Sequence, residues 1–133
     1  TDKGLGLVSQ GTREWTNYTV SADVTPHLAA RAGVAARVQG LTRFYALLVT
    51  QDQKVQLVRS VHEQTVLAEA SFTWSFGDTL NMTLTVRDDV LTGEINGKVL
   101  LEARDGGLDA GAVGLVVEEG RSATHRVQVS PCA

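Results

Sequence analysis

One cysteine, two prolines, one methionine and few aromatics leave this 133-residue chain with little to staple or kink it. The single cysteine, Cys132, has no partner, so the chain forms no internal disulfide and builds no Cys-rich metal site. Lacking that, a domain of this length still buries well over half of the surface its unfolded chain exposes, so one core suffices in either redox compartment. Long apolar runs are missing too: a stretch such as Ala112–Val117 is far too short to cross a bilayer as a helix. Lys and Arg number 12 against 15 Asp and Glu, a formal charge of −3, and no segment gathers enough basic side chains to neutralise a line of phosphates. Neither nucleic acid nor a membrane is an expected partner. An initiator Met and a signal-peptide-like opening are absent at Thr1–Lys3, and the chain closes on Ser130-Pro131-Cys132-Ala133, which suggests a domain cut from a longer polypeptide.

What is present is a period of two. Tyr18, Val20, Ala22 and Val24 alternate with Thr19, Ser21, Asp23 and Thr25, and Leu80, Met82, Leu84 and Val86 alternate with Thr79, Asn81, Thr83, Thr85 and Arg87. Such alternation lines one face of a pleated strand and would scatter around a helix. Four short runs lie between them, Val34–Gln39, Arg43–Thr50, Lys54–Val61 and Gln64–Ala70, joined by hairpin-length connections. Val90–Ile95, the turn pair Asn96-Gly97 and Lys98–Glu102 make a further hairpin, because both turn residues tolerate positive φ. Leu5–Ser9, Ala112–Glu118 and a last strand with Val127 and Val129 turned inward bring the total to about eleven strands, the number and spacing of an all-β antiparallel two-sheet sandwich. His27–Val38 is the best competitor for a helix, but Pro26 and Gly33 interrupt it, leaving at most a helical turn at His27–Ala30.

The order Trp15, Tyr18, "GVAARVQGLTRFYALLV", "TLTVRDDVLTGEINGKVLLEARD" and "GAVGLVVEEG" resembles the concanavalin A-like lectin and glucanase superfamily over most of the chain. Leu84–Arg87, Leu91–Ile95, the Asn96-Gly97 turn, Asp105 and Gly111–Leu115 follow in the sequence those jelly rolls use. More narrowly the chain is similar to the lectin-like domains appended to actinobacterial ADP-ribosylglycohydrolase-type and sugar-hydrolase proteins, and to the laminin-G-like fold. The resemblance implies a single lectin-like domain over residues 1–133. It does not imply glucanase chemistry, because the acidic strand E-x-D-x-x-E of that branch is missing here. Since this architecture hosts glycan binders, glycosidases and protein-binding modules alike, function has to be argued from the side chains.

Strand parity places Val34, Ala36, Val38, Phe44, Ala46 and Leu48 on one apolar face of the central hairpin. Arg37, Gln39, Arg43 and Tyr45 fall on the other, joined by Lys54 and Gln56 from the next strand. Planar donors and acceptors beside an aromatic ring suit sugars: hydroxyls take paired hydrogen bonds from guanidinium and amide groups while the ring stacks on an apolar sugar face. Arg37, Gln39, Arg43, Tyr45, Gln56 and Trp74 are the expected ligand-binding residues. The plainer alternative is an ordinary solvated sheet face, with Trp74, Phe72 and Phe76 packing loops and Trp15 and Tyr18 in the core. Asp105, Asp109, Glu118 and Glu119 are the acids nearest the loops that hold calcium in some relatives, which makes calcium the candidate metal, although no dense ligand run such as an EF-hand loop is present.

His27, His62 and His125 lack Cys or acidic neighbours at zinc spacing, and no G-x-S-x-G elbow or comparable nucleophile signature occurs. "GLGLVSQG" lacks nucleotide-loop spacing and reads as a strand. Asn17-Tyr18-Thr19 and Asn81-Met82-Thr83 are formal glycosylation sequons. The expected function is a non-catalytic carbohydrate-binding module appended to a hydrolase. A structural or protein-interaction domain that docks on a neighbouring catalytic domain is the alternative.

Overall fold

The computed structural model describes residues 5–10, 15–118 and 121–131. Eleven strands and no helix run through them: β1 (Leu5–Gln10), β2 (Tyr18–Leu28), β3 (Arg31–Gly40), β4 (Arg43–Thr50), β5 (Lys54–Val61), β6 (Glu63–Ser71), β7 (Leu80–Arg87), β8 (Val90–Ile95), β9 (Lys98–Arg104), β10 (Ala112–Glu118) and β11 (Arg121–Pro131). They pair antiparallel into a six-stranded sheet, β1-β10-β3-β4-β5-β6, and a five-stranded sheet, β11-β2-β7-β8-β9, which pack as a sandwich. The expected alternation holds on β2 and β7, where Val20 stands opposite Leu84 and Ala22 opposite Met82, all fully buried. Val34, Leu47, Val49 and Leu57 of the six-stranded sheet meet them in one core. Each large aliphatic side chain taken out of water there contributes about 1.5–3 kcal/mol.

Turn chemistry sets several strand ends. Asn96 and Gly97 both adopt positive φ, 53° and 82°, the conformation a tight two-residue hairpin between β8 and β9 requires. At Gly33 the requirement is spatial: an added Cβ would lie 1.8 Å from the Leu47 carbonyl oxygen, so only glycine lets β3 close against β4 there. The helical turn expected at His27–Ala30 is not formed, since β2 continues as strand to Leu28. Pro26 is tolerated because it stands beyond the last β2–β7 pair, Val24 with Leu80, and opposite Ser122, where the β11 register shifts.

Two facing assignments differ from expectation, one through a bulge and the other through the register of a strand pair. Val127 is exposed at 41%, and only Val129 packs against the core, because β11 carries a bulge between His125 and Gln128 with Arg126 at φ 53°. On the central hairpin Ala35 stands opposite Ala46 and Ala36 opposite Tyr45, so an even-numbered residue of β3 shares its face with an odd-numbered one of β4. Val34 and Ala36 therefore join Tyr45, Leu47 and Val49 between the sheets. Phe44, Ala46 and Leu48 turn the other way and join Ala35, Val58 and Val116 in a second buried layer on the far side of the six-stranded sheet. Neither face of this hairpin is the polar one that counting alone suggests.

Candidate functional site

Arg37 and Tyr45, expected on a solvent-facing sheet, are each 1% exposed. The β3 register slips between Ala36 and Gly40, and Arg37 takes φ 50°, so the extra residue turns its side chain inward at the end of the sandwich. There Nε donates to the Thr16 carbonyl (3.0 Å), Nη1 to the carbonyls of Asp88 (2.6 Å) and Leu108 (3.1 Å), and Nη2 to Asn17 Oδ1 (3.1 Å). One guanidinium thus ties the start of β2, the β7–β8 turn and the loop after β9. The Tyr18 hydroxyl accepts the Arg37 backbone N–H at 2.6 Å and lies 2.9 Å from the Gly111 carbonyl; burial pushes its pKa up to about 12. Gly111 has φ 153°, and a Cβ there would sit 2.4 Å from the Arg37 carbonyl carbon.

Tyr45 is a loop anchor as well. Its hydroxyl lies 2.6 Å from Asp105 Oδ1 and accepts the Leu108 N–H at 3.0 Å. Burial, then the Asp105 carboxylate, push its pKa up to about 12. Asp105 also receives Arg59 Nη1 at 2.7 Å and the Gly107 N–H at 2.8 Å. Burial pulls its carboxyl upward, but the Tyr45 hydroxyl, the Gly107 amide and Arg59 together hold it below its ordinary value. Gln39 donates to the Ala110 carbonyl at 2.8 Å and accepts from Arg43 Nε at 3.3 Å, so both are half-buried braces of the same loop. Trp74, 5% exposed, donates its indole N–H to the Thr50 carbonyl at 2.9 Å; it offers no free ring for stacking. Of the six expected binding residues Arg37, Tyr45 and Trp74 are buried, while Gln39, Arg43 and Gln56 remain partly exposed.

Around Gln56 the structure assembles a polar ledge that parity counting missed. Arg31 Nε donates to Glu118 Oε2 at 3.1 Å, its Nη1 reaches Gln56 Oε1 at 3.5 Å, and its Nη2 bonds Gln64. Gln56 Nε2 in turn donates to Glu69 Oε2 at 2.6 Å, and Lys54 Nζ lies 3.4 Å from the other Glu69 oxygen. The Gln56 amide, with Lys54 behind it, holds the Glu69 carboxyl below its usual range. These side chains come from β3, β5, β6 and β10.

The Arg31–Gln64 bond reveals the shape of this face. β3 and β6 are separated by β4 and β5, which on a flat sheet would set them about 14 Å apart. Arg31 also stands level with Lys54, through Thr50, whereas Gln64 stands opposite Ser60 farther along β5, roughly 20 Å away in the strand direction. No Arg and Gln side chains span that on a plane. The sheet therefore curls toward this face, which is also why Ala35, Ala46, Phe44 and Val58 on its floor are at most 1% exposed. The outcome is a trough whose floor is apolar and whose upper layer is planar amide, guanidinium and carboxylate groups.

The acids expected near calcium are not brought together. Asp105 is engaged with Tyr45 and Arg59, Glu118 pairs with Arg31 on the ledge, Asp109 lies in the loop after β9, and Glu119 falls outside the described residues. Among the described residues no three His, Cys, Asp or Glu side chains come close enough to hold a metal ion. Asn17, in the first sequon, has its amide oxygen committed to Arg37 and to the Asp88 N–H at 2.9 Å, while Asn81, in the second, is exposed.

No family model matches the chain, and no curated protein is similar to it in sequence. Solved structures do match. The carbohydrate-binding module CBM66 from Bacillus subtilis superposes with a TM-score of 0.87 at 14% identity, covering 98% of this chain and 84% of that one. Caenorhabditis elegans galectin LEC-6 gives 0.69 at 10% identity, with 94% and 89% covered. Lactose- and MES-liganded congerin II gives 0.68 at 17%, with 96% and 100% covered. At these identities the likeness establishes the lectin-type β-sandwich, and residues must establish the rest.

Proposed function

We propose that this domain is a non-catalytic carbohydrate-binding module whose glycan lies in the trough of the six-stranded sheet, on the ledge of Arg31, Gln56, Gln64, Glu69 and Glu118. The carrying observation is the ledge itself: three planar side-chain types, mutually hydrogen-bonded over a curved, apolar floor. Held in this way, the groups meet a ligand without first losing rotamer freedom, which is the main cost of polar recognition at a surface. Sugar hydroxyls donate and accept at once, so they can replace the ledge's internal bonds one for one. The matched structures, a carbohydrate-binding module and a lactose-liganded congerin among them, support a sugar ligand for this sandwich. As the sequence resemblance implies, the proposed setting is that of an accessory domain beside a sugar-processing hydrolase.

A glycan array followed by calorimetry on each hit tests the proposal. Gln56→Ala removes an amide that touches both Arg31 and Glu69, and should weaken binding about tenfold, the effect of one hydrogen bond to a charged group. An array silent with folded protein, or hits indifferent to both Gln56→Ala and Arg31→Ala, would overturn it.

A further inference from the structure

At the other end of β3 from the ledge, a cavity of about 400 Å³ opens where Asn17, Arg37, the β7–β8 turn (Asp88, Asp89) and the loop residues Leu108 and Asp109 converge. Six residues along one strand separate Arg31 from Arg37, about 20 Å, so the two places are distinct. The volume falls within the range of small-molecule pockets, toward its lower end.

Its chemistry is two-sided. A guanidinium has five N–H donors, and the protein engages four of those of Arg37: one on Nε, two on Nη1 and one on Nη2. One Nη2 donor remains on a side chain that is 1% exposed and lines the cavity. Among the described residues no carboxylate lies within ion-pair distance of it. A buried donor without an acceptor is costly, so the cavity favours an occupant that brings an oxygen. Toward solvent the walls instead accept: among the described residues the exposed Asp109 carboxylate has no partner and Asp88 Oδ1 takes only the Asn17 amide at 3.3 Å, while Asp89 faces Arg104 at 3.2 Å. The buried Leu108 is the apolar wall. The occupant must accept one hydrogen bond at depth and donate several near the mouth. Asp88, Asp89 and Asp109 outnumber the two guanidiniums among them, Arg37 and Arg104, so the site is net negative and disfavours an anion.

We infer that this cavity is a second binding site, separate from the trough, and that it takes one neutral hydroxyl-rich ring, a single sugar unit. Hydroxyls meet both requirements: one oxygen accepts from Arg37 Nη2 while neighbouring hydroxyls donate to Asp88 and Asp109. Selectivity follows from charge, with neutral monosaccharides preferred over uronic acids of the same ring.

Backbone amide NMR of the whole domain, titrated with glucose, galactose, mannose and fructose and then with glucuronate and galacturonate, tests this directly. Shifts are expected at Asn17, Asp88, Asp89, Gly106 and Asp109 with at least one neutral sugar, and with none of the acids at equal concentration. Asp109 is exposed and untied, so Asp109→Ala leaves the fold intact and should weaken that response by about tenfold or more. Cavity amides that do not move with any neutral sugar, or that move equally with the uronates or in Asp109→Ala, would overturn the second site. Shifts confined to Arg31, Gln56 and Gln64 would do the same while leaving the trough reading standing; cavity shifts with no response on the ledge would uphold this site and count against the trough.

Discussion

At the scale of single residues, the end of the sandwich is held by polar side chains that the fold has taken out of water. Asp105 is the most informative. Burial alone would raise its carboxyl, yet the Tyr45 hydroxyl, the Gly107 amide and Arg59 hold it low, so the native state favours the ionised form more than the unfolded chain does. A group depressed in this way stabilises the fold fully above its unfolded value, near 3.9, and loses that contribution as pH falls through the lower native one. Asp105→Asn, which keeps the shape and removes the charge, should cost about 1–3 kcal/mol near neutrality in urea titrations. On acidification the difference from the parent protein should close. A difference that stays constant into strong acid would show that the ionised carboxylate adds nothing. Arg37 poses the opposite problem, a permanent charge solvated by carbonyls. Arg37→Met would strand the Thr16, Asp88 and Leu108 carbonyls together, at about 2–5 kcal/mol.

At the scale of elements, glycines separate two kinds of constraint. Gly33→Ala drives a Cβ into the Leu47 carbonyl, which belongs to a central strand and has nowhere to move, so it should destabilise by about 3 kcal/mol or more or prevent folding. Gly97→Ala meets open space and pays only for φ 82°, about 1–2 kcal/mol. Thermal denaturation of both variants checks the ranking, and equal losses would contradict it. The same elements show what alternation can and cannot reveal. Arg43–Thr50, Lys54–Val61, Val90–Ile95 and Ala112–Glu118 are strands with the bounds their residues announce, because short polar connections, Gln51-Asp52-Gln53 and His62, end the first two, Asn96-Gly97 ends the third and Gly111 precedes the fourth. Which face a residue takes is a pairwise property. It depends on register between strands and on bulges, and a bulge at a non-glycine such as Arg37 leaves no local mark in the sequence. The ledge was hidden for a related reason: Arg31-Ala32-Gly33 looks like loop, and only pairing with Val49 and Leu48 makes it strand.

At the scale of the molecule, the central strands β3 and β4 of the six-stranded sheet are buried on both sides, and this decides how the domain unfolds. The sheet's inner face joins the inter-sheet core through Val34, Leu47 and Leu57, while its outer face carries the layer of Phe44, Ala46 and Leu48 beneath the ledge. Adjacent residues of β4 alternate between the two layers, so neither can loosen without β4 leaving the sheet. Phe44→Ala in the outer layer and Leu84→Ala in the inner core should each cost about 3–5 kcal/mol, a large share of the 5–15 kcal/mol typical of a domain. Both should lower one shared transition instead of creating a second. Fluorescence of Trp15 and Trp74, packed against the inner core or within it, and far-ultraviolet dichroism, which reports all strands, should give coincident urea curves in either variant. An early dichroism phase in Phe44→Ala, with tryptophan emission unchanged, would mean that the outer layer melts alone. The trough would then be an independently mobile surface, and the ledge would lose the rigidity on which its recognition of a glycan depends.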